Sequence, residues 1–561
     1  MGETSRAVPM GFEALLDHVG ARGRFQILQL VFFYITSMIS YTHILLENFT
    51  AATPEHRCWV HVLDNHTVPG HNHTATLSQQ DLLRISIPLD SNLRPEKCRR
   101  FVQPQWQLLH LNKTLWNASE ADTEPCVDGW VYDKSSFPST IVTEWDLVCE
   151  HQSSKSIVQV VFMTGALLGS LIFGYLSDRF GRKTIFTWCL LQTAISDTCA
   201  AFAPTFFVYC SLRFLAGLST MILLSNPLYL IIEWTRPLLQ AVIAMQTSYS
   251  AGQMLLGGLA YSFRSWVTLQ LVLSIPLWVF CMFSRMAVES ARWLIFSNQV
   301  EKGLEELRRV ARINGKKNAG ETLTIEVVKS SLREVFDEAQ KKTSIFQLLH
   351  APRLRIRIYY LCFIRMALTI AFFGLILNLQ HLGSNIFLFQ ILFGLITFIS
   401  GFVAYLLLNY LGRRGSQILF LFLAGLSILV NTFLSQETQQ TLRVILATLG
   451  IGAVNAGFSA FLVHGTELIP TVVRSTFGGM NTFFGQVGAV MAPLFMTLAV
   501  YSLHLPWILY GTFPILSAIA VFYLPETSNQ PLPNTIQDVE NDKKGSRKVT
   551  QEDTSIKVTR F

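Results

Sequence analysis

Blocks of about twenty consecutive apolar residues recur along almost the whole chain, and a helix of that length is needed to cross a hydrocarbon layer about 30 Å thick. Blocks near 25–45, 156–176, 185–203, 206–232, 240–262 and 266–284 make one group. A second group lies near 357–378, 386–408, 416–434, 442–465, 475–500 and 505–524. The expected fold is an all-α membrane protein with twelve transmembrane helices in two six-helix halves. Composition agrees: half of the 561 residues are hydrophobic and 14% are charged, where a soluble domain carries about a quarter charged. No long apolar run precedes residue 25, so the first block is expected to direct insertion in place of a cleavable signal peptide. The basic excess lies in segments flanking the apolar blocks, which argues against nucleic acid as a partner.

The stretch 46–155 differs from everything around it. It holds all five Asn-x-Ser/Thr sequons, at Asn48, Asn65, Asn72, Asn112 and Asn117, together with Cys58, Cys98, Cys126 and Cys149. Glycan addition and disulfide formation both need the secretory lumen. This stretch is therefore expected to be an extracellular, glycosylated loop between helices 1 and 2, with two disulfides in one of three connectivities. The remaining cysteines (Cys189, Cys199, Cys210, Cys281 and Cys362) fall in apolar blocks and are expected to be small buried residues. Arg179, Arg182, Lys183, Arg413, Arg414 and the basic residues of the middle segment all fall on the opposite side, where the positive-inside rule wants them. Both termini are then cytosolic. The expected layout is a cytosolic N-terminus over 1–24, a first half over 25–284, a cytosolic helical linker over 285–356, a second half over 357–524 and a disordered cytosolic tail over 525–561.

Three motifs occur twice, offset by roughly 230–240 residues. Gly174-Tyr175-Leu176-Ser177-Asp178-Arg179-Phe180-Gly181-Arg182-Lys183 is echoed by Asn409-Tyr410-Leu411-Gly412-Arg413-Arg414. Glu233-Trp234 is echoed by Glu467-Leu468-Ile469-Pro470, and Glu289-Ser290-Ala291-Arg292 by Pro525-Glu526-Thr527. Parallel repeats of this kind describe one class of secondary transporter. Asp178 can cap a helix or pair with a cation, and arginine donates to two carboxylates at once. Arg182 is expected to bridge Glu233 and Glu289, and Arg413 to bridge Glu467 and Glu526. With Asp178, Arg292 and Arg474 these residues form a candidate cytosolic gate. His43, Glu47 and His464, near helix ends, read as structural or gate groups, and Arg213 as a structural pairing.

Taken together, these motifs resemble the major facilitator superfamily and, within it, solute carrier family 22. Glu289-Ser290-Ala291-Arg292-Trp293-Leu294 is similar to the family's element after helix 6. Pro125-Cys126-Val127-Asp128-Gly129-Trp130, Ser139 to Cys149, and Leu524-Pro525-Glu526-Thr527 with Pro531 to Ile536 narrow the match. It looks closest to the organic anion transporter branch, particularly members that handle steroid conjugates. The resemblance implies an aromatic-lined central cavity. Phe372 and Phe373 in helix 7, Phe458 in helix 10 and Tyr249 in helix 5 match its aromatics. Two cationic anchors are missing: Gln486 stands where helix 11 usually carries arginine, and Gly401 where helix 8 often carries a cation. Arg365, inside helix 7, is the intramembrane cation that remains, and such a residue is a functional-site candidate by default.

The function implied is plasma-membrane secondary transport of amphipathic organic anions, steroid sulfates or glucuronides foremost, by alternating access with exchange or facilitated diffusion. The rivals are an organic cation or zwitterion transporter and a transport-incompetent partner or receptor. No Gly-x-x-x-x-Gly-Lys-Ser/Thr loop, paired carboxylate, metal cluster or nucleophile constellation stands out, so neither a primary pump nor an enzyme is expected, and no cofactor. The terminal Thr559-Arg560-Phe561 fits a PDZ-binding tail, which would add a scaffold to the partners.

Overall fold

The structure, a computed structural model, describes residues 23–64, 78–90, 94–109, 122–235, 238–284, 287–297, 299–316, 350–377, 385–434, 440–470, 473–528 and 536–540, with a few single positions besides. Two compact units are present. The larger comprises Met1–Asn48, Ser156–Ser262 and Gln270–Phe561, and the smaller Phe49–Lys155 with Phe263–Leu269.

A helix lies at each apolar block. They are α1 (Arg24–Leu45), α2 (Gln152–Phe180), α3 (Arg182–Ala200), α4 (Phe206–Trp234), α5 (Leu238–Ser262) and α6 (Trp266–Phe283). The second set is α7 (Pro352–Ile376), α8 (Ile386–Tyr410), α9 (Gly412–Phe433), α10 (Gln440–Leu468), α11 (Arg474–Met496) and α12 (Leu505–Val521). Among the described residues, nine helices are long and apolar enough to cross a membrane. The three outside that set are α3, which opens on Arg182 and Lys183 and carries Asp197, the glutamine-bearing α5, and α12 with 17 residues.

Helix starts follow local chemistry. Thr205 accepts from Val208 N ahead of α4, Asn385 accepts from Leu388 N ahead of α8, and Pro352 occupies the first turn of α7, where its missing N–H has no partner to lose. Phe33, Phe186, Leu190, Leu223 and Leu230 make a core among α1, α3 and α4, while Ala404, Phe420 and Ala460 join α8, α9 and α10. Large apolar side chains such as Ile27, Leu171, Phe402 and Leu406 face outward, as a lipid-facing surface requires. Cys189 and Cys362 are buried, but Cys199 is exposed and Cys210 and Cys281 are half-buried, which corrects the expectation of five buried thiols. The described part of the segment after α6 holds an amphipathic helix. Val300–Ile313 buries Leu304, Leu307 and Val310 against Phe25, Trp234 and Ile295, and its charged face stays outside.

The smaller unit is held by short pairings and cross-links. Strand β1 (His56–Cys58) pairs antiparallel with β4 (Trp130–Tyr132), and β2 (Arg99–Phe101) with β3 (Thr123–Pro125). Its apolar centre is small, with Ile85, Phe101 and Leu108 as buried members. Arg100 pairs with Glu124 at 2.8 Å and Asp128 at 2.7 Å, and Arg57 holds Asp64 through two hydrogen bonds. Of the three connectivities, the structure has Cys58–Cys126 and Cys98–Cys149.

A unit with so small a core depends on its cross-links. Peptide mapping without reduction should recover those two pairs. Cys98→Ser with Cys149→Ser should destabilise the folded segment by about 2–5 kcal/mol, read as loss of mature protein at the cell surface. A 58–98 or 58–149 pair would contradict the structure.

Candidate functional site

Four of the aromatic residues singled out from sequence converge within the larger unit. Tyr249 lies 5.5 Å from Phe372 between ring centroids, Phe372 lies 5.4 Å from Phe373, and Phe372 lies 5.6 Å from Phe458. All four are half-buried, as side chains lining an interior surface are. Tyr41 of α1 joins them at 5.0 Å from Tyr249, a member that no sequence pattern marked. Gln253 donates from Nε2 to the Tyr249 hydroxyl and fixes that ring. The edge-to-face geometry suits flat apolar ligands, each such contact being worth roughly 0.5–1.5 kcal/mol beyond area burial.

Arg365 sits against one of these rings. Its guanidinium carbon lies 4.8 Å from the Phe458 centroid, and its Nε has no hydrogen-bond partner among the described residues. No carboxylate lies within ion-pair distance of it among them either. The helix begins five residues earlier than the apolar block suggested, so Arg365 stands thirteen residues from Pro352 and eleven from Ile376. At about 1.5 Å per residue that is the middle of the helix, too deep for the side chain to reach a polar surface by stretching. Gly485 of α11 makes room for it: a Cβ there would lie 2.9 Å from Arg365 Nε. Gln486, the next residue, donates from Nε2 to Met221 Sδ of α4 at 3.2 Å, and its Oε1 has no partner among the described residues.

The other deep arginine is in a different situation. Arg213 of α4 is fully buried and donates to Glu47 at 2.9 Å, Asp197 at 3.0 Å and the His43 carbonyl at 3.0 Å. His43 Nδ1 lies 2.7 Å from Asp197, and Nε2 lies 3.1 Å from the Leu273 carbonyl. This is the structural pairing the sequence suggested. His464, likewise buried, is held by Gln417 and the Pro525 carbonyl.

The repeated motifs build two similar clusters at the α2–α3 and α8–α9 turns. Gly181 and Gly412 adopt φ of 102° and 77°, a region that other residues enter only with strain, and each turn opens a helix whose first N–H groups lack partners within the helix. Glu289 supplies the acceptor in the first cluster, taking hydrogen bonds from the main-chain N–H of Arg182 and Lys183. Glu526 does so in the second, from Arg413 N and Arg414 N, both at 3.0 Å. The guanidinium of Arg182 pairs instead with Glu233, and that of Arg413 with Glu467 at 3.3 Å. Each arginine therefore joins its two glutamates through different atoms, side chain to one and backbone to the other. Asp178 is exposed and contributes its carbonyl, which accepts from Trp293 Nε1 at 2.7 Å. Arg292 is exposed. Arg474 donates to the Ile469 carbonyl and, among the described residues, joins neither carboxylate cluster.

The first sequon residue, Asn48, is engaged inside the protein. Asn48 is 4% exposed, and its Nδ2, the atom a glycan would occupy, donates to the Ile376 carbonyl at 2.8 Å and to Gln390 Oε1 at 3.1 Å. Asn65, Asn72, Asn112 and Asn117 lie outside the described residues, as does the C-terminal tail from residue 541.

The two glutamates of the turn clusters differ electrostatically. Burial pushes the Glu289 carboxyl above the usual range against its N–H donors, with the Glu233 charge adding to the rise. Burial acts the same way on Glu526, but four main-chain N–H groups outweigh it and hold the carboxyl below the usual range. Glu526 thus contributes stability at pH above the ordinary carboxylate value, lost as pH falls through its lowered folded value; Glu289 contributes in the opposite sense, its share fading as pH rises. Glu526 is exposed and its charge is screened, so Glu526→Gln should lower the melting temperature at neutral pH and flatten the acid side of the stability profile by no more than about 1 kcal/mol. Glu289→Gln should cost less. Equal losses across pH 4–7 would overturn the distinction.

Comparison with known proteins places this geometry in a family. Residues 150–493 match the family model described as Major Facilitator Superfamily. The chain is 64% identical to the steroid transmembrane transporter SLC22A24 of Oryctolagus cuniculus, over 98% of this chain and 100% of that one. It is 62% identical to the Homo sapiens protein of the same name, over 98% and 100%. It is 60% identical to solute carrier family 22 member 10 of Homo sapiens, over 95% and 99%. The inward-open xylose transporter XylE from E. coli shares the fold, with a TM-score of 0.58 at 17% identity over 72% of this chain and 92% of that one. The chain is a membrane transporter, not an enzyme, and belongs to the major facilitator superfamily and, within it, to solute carrier family 22.

Proposed function

We propose that this transporter carries amphipathic organic anions, steroid sulfates or glucuronides foremost, across the plasma membrane by alternating access, through exchange or facilitated diffusion. The observation that carries the reading is Arg365, a cation in mid-helix with a free Nε, no carboxylate partner among the described residues and an aromatic neighbour. A sulfate or carboxylate supplies the missing counter-charge and acceptors, and the Tyr41, Tyr249, Phe372, Phe373 and Phe458 rings hold the apolar body. Relatives at 60% identity and above include proteins named as steroid transmembrane transporters, which favours the same substrate class here.

In this reading the twelve helices all cross the bilayer, both termini are cytosolic, and the 49–155 segment is extracellular and glycosylated at Asn65, Asn72, Asn112 and Asn117. The Gly181 and Gly412 clusters, with Arg182, Glu233, Glu289, Arg413, Glu467 and Glu526, stiffen the cytosolic ends of each half, so the halves rock as rigid bodies about the aromatic site. Gln486 offers a hydrogen bond in place of a second positive charge.

The deciding experiment is uptake by expressing cells of a steroid sulfate, a steroid glucuronide, an organic cation and a zwitterion. Saturable uptake of the conjugates is expected, and uptake of the cation alone would overturn the reading. Arg365→Gln should reduce conjugate uptake at least about tenfold, as expected for losing a charge-assisted contact. Phe458→Ala should weaken apparent affinity for the steroid conjugate, and an unchanged affinity would remove Phe458 from the site. For the tail, we propose docking to a PDZ scaffold. Deleting Thr559 to Phe561 should abolish PDZ pull-down, and equal pull-down by the truncated tail would end that proposal.

A further inference from the structure

The two six-helix halves meet at the end of α1 through a side chain that the sequence marks for a different purpose. Asn48 lies three residues beyond α1, in the one-turn helix Glu47–Thr50. Its partners are both in the second half: the carbonyl of Ile376, the last residue of α7, and the side chain of Gln390, in the second turn of α8. Its neighbour Glu47 is pinned in the first half by Arg213, which is itself held by Asp197. The residue that reaches across is thus anchored on one side by a buried ion-pair network and tied on the other by two hydrogen bonds.

We infer that Asn48 is an inter-half fastening and carries no glycan, and that its bonds to Ile376 and Gln390 hold this end of the transporter closed. The inference rests on the alternating-access reading above, in which this end faces outward. An amide is suited to the task. It donates two hydrogens to two different acceptors without adding charge, and in a site closed to water, bonds lost on opening have no replacement until water enters. The fastening also lies close to the substrate site. Gln390 and Gln253 are both fully buried on faces of α8 and α5 that touch: a Cβ at Gly394 would lie 3.1 Å from Gln253 Cβ, and one at Gly257 would lie 3.4 Å from Gln390 Cβ. Gln390 Nε2 and Gln253 Oε1 are a donor and an acceptor, each without a partner among the described residues, and the other end of the Gln253 amide holds Tyr249. The polar groups that close this end therefore reach to within one side chain of the aromatic ring set.

Gln390→Met removes the acceptor, keeps the volume and leaves the sequon intact. Losing one of the two bonds should shift the population toward the outward-open state. For a radiolabelled steroid sulfate, maximal uptake per surface-expressed molecule should fall about five- to twentyfold, with KM unchanged or lower because more transporters present an open outer site. A residue that merely contacts substrate would raise KM instead, and that outcome overturns the inference. Two readouts need no transport. Glycopeptide mapping of the wild-type chain should find Asn48 unoccupied, and a glycan there overturns the inference outright. Asn48→Cys with Gln390→Cys should be joined by a short bis-methanethiosulfonate reagent, and absence of the cross-link in folded, surface-expressed protein also overturns it. Failure of the wild-type chain to take up the steroid sulfate counts against the substrate proposal alone, and the glycopeptide and cross-link results then decide the fastening.

Discussion

Inside a bilayer no water is present to satisfy a charge, so every ionisable group carried into the helices must find its compensation within the protein. Arg213 shows how completely this chain can meet that demand. It reaches Glu47 and Asp197, with a third bond to the His43 carbonyl and the face of Phe162 at 4.5 Å. The network ties α1, α3 and α4 together, and the His43 ring extends it to the Leu273 carbonyl of α6. Removing one member of such a set leaves its partner buried and uncompensated, at about 3–5 kcal/mol. The packing of the first half depends on that set staying whole, and so does the position of Asn48, one residue beyond Glu47.

The same demand explains why the turn clusters use backbone as well as side chain. A helix that starts directly after a tight turn has N–H groups pointing at the turn and a partial positive charge behind them. A carboxylate delivered from a distant segment, Glu289 in one half and Glu526 in the other, meets both needs at once. The arginine at the first or second position of the helix is then free to take a second glutamate with its side chain. One turn, two glutamates and one arginine therefore join three segments of each half. The arrangement recurs because the two halves repeat the same local problem.

Much of this was legible in the sequence, and what was not has identifiable causes. Apolar blocks gave helix positions to within a few residues because hydrophobic length is a one-dimensional signal. The repeat identified the turn residues, and the glutamates did converge on Arg182 and Arg413. Which atoms of each arginine would be used was not legible, since that depends on the φ of the preceding glycine and the direction of the helix start. The aromatic set was recoverable through family resemblance, but Tyr41 was not: one tyrosine in an apolar helix looks like any other. The engagement of Asn48 was not legible for a simpler reason. A sequon states only that Asn, a spacer and Thr are adjacent, and says nothing of whether the amide nitrogen is already engaged by residues 328 and 342 positions away. The mid-helix position of Arg365 was not legible because Pro352 starts the helix ahead of the apolar run, carrying Arg353, Arg355 and Arg357 into its first turns.

That depth sharpens what Arg365 can be for. A central arginine costs at least about 2.5–3.5 kcal/mol on insertion scales. The Phe458 face offsets roughly 0.5–2 kcal/mol of that, which leaves a balance that no carboxylate among the described residues makes up. Arg213, seven residues into its helix and fully buried, is matched by two carboxylates, so the sequence is able to neutralise a buried arginine where packing is the only purpose. A cation left short of compensation beside the Phe458 ring is the feature on which the proposal of an anionic substrate rests. On that proposal it also bears on the charge of the anion. Among the described residues Gln486 and Gly485 place no second cation opposite it, so under the proposal one negative charge would complete the site and a second would be buried without a partner. A sulfate or glucuronate conjugate, with a single charge on a flat apolar body, meets both conditions in the proposed transport cycle; a dianion meets only the first.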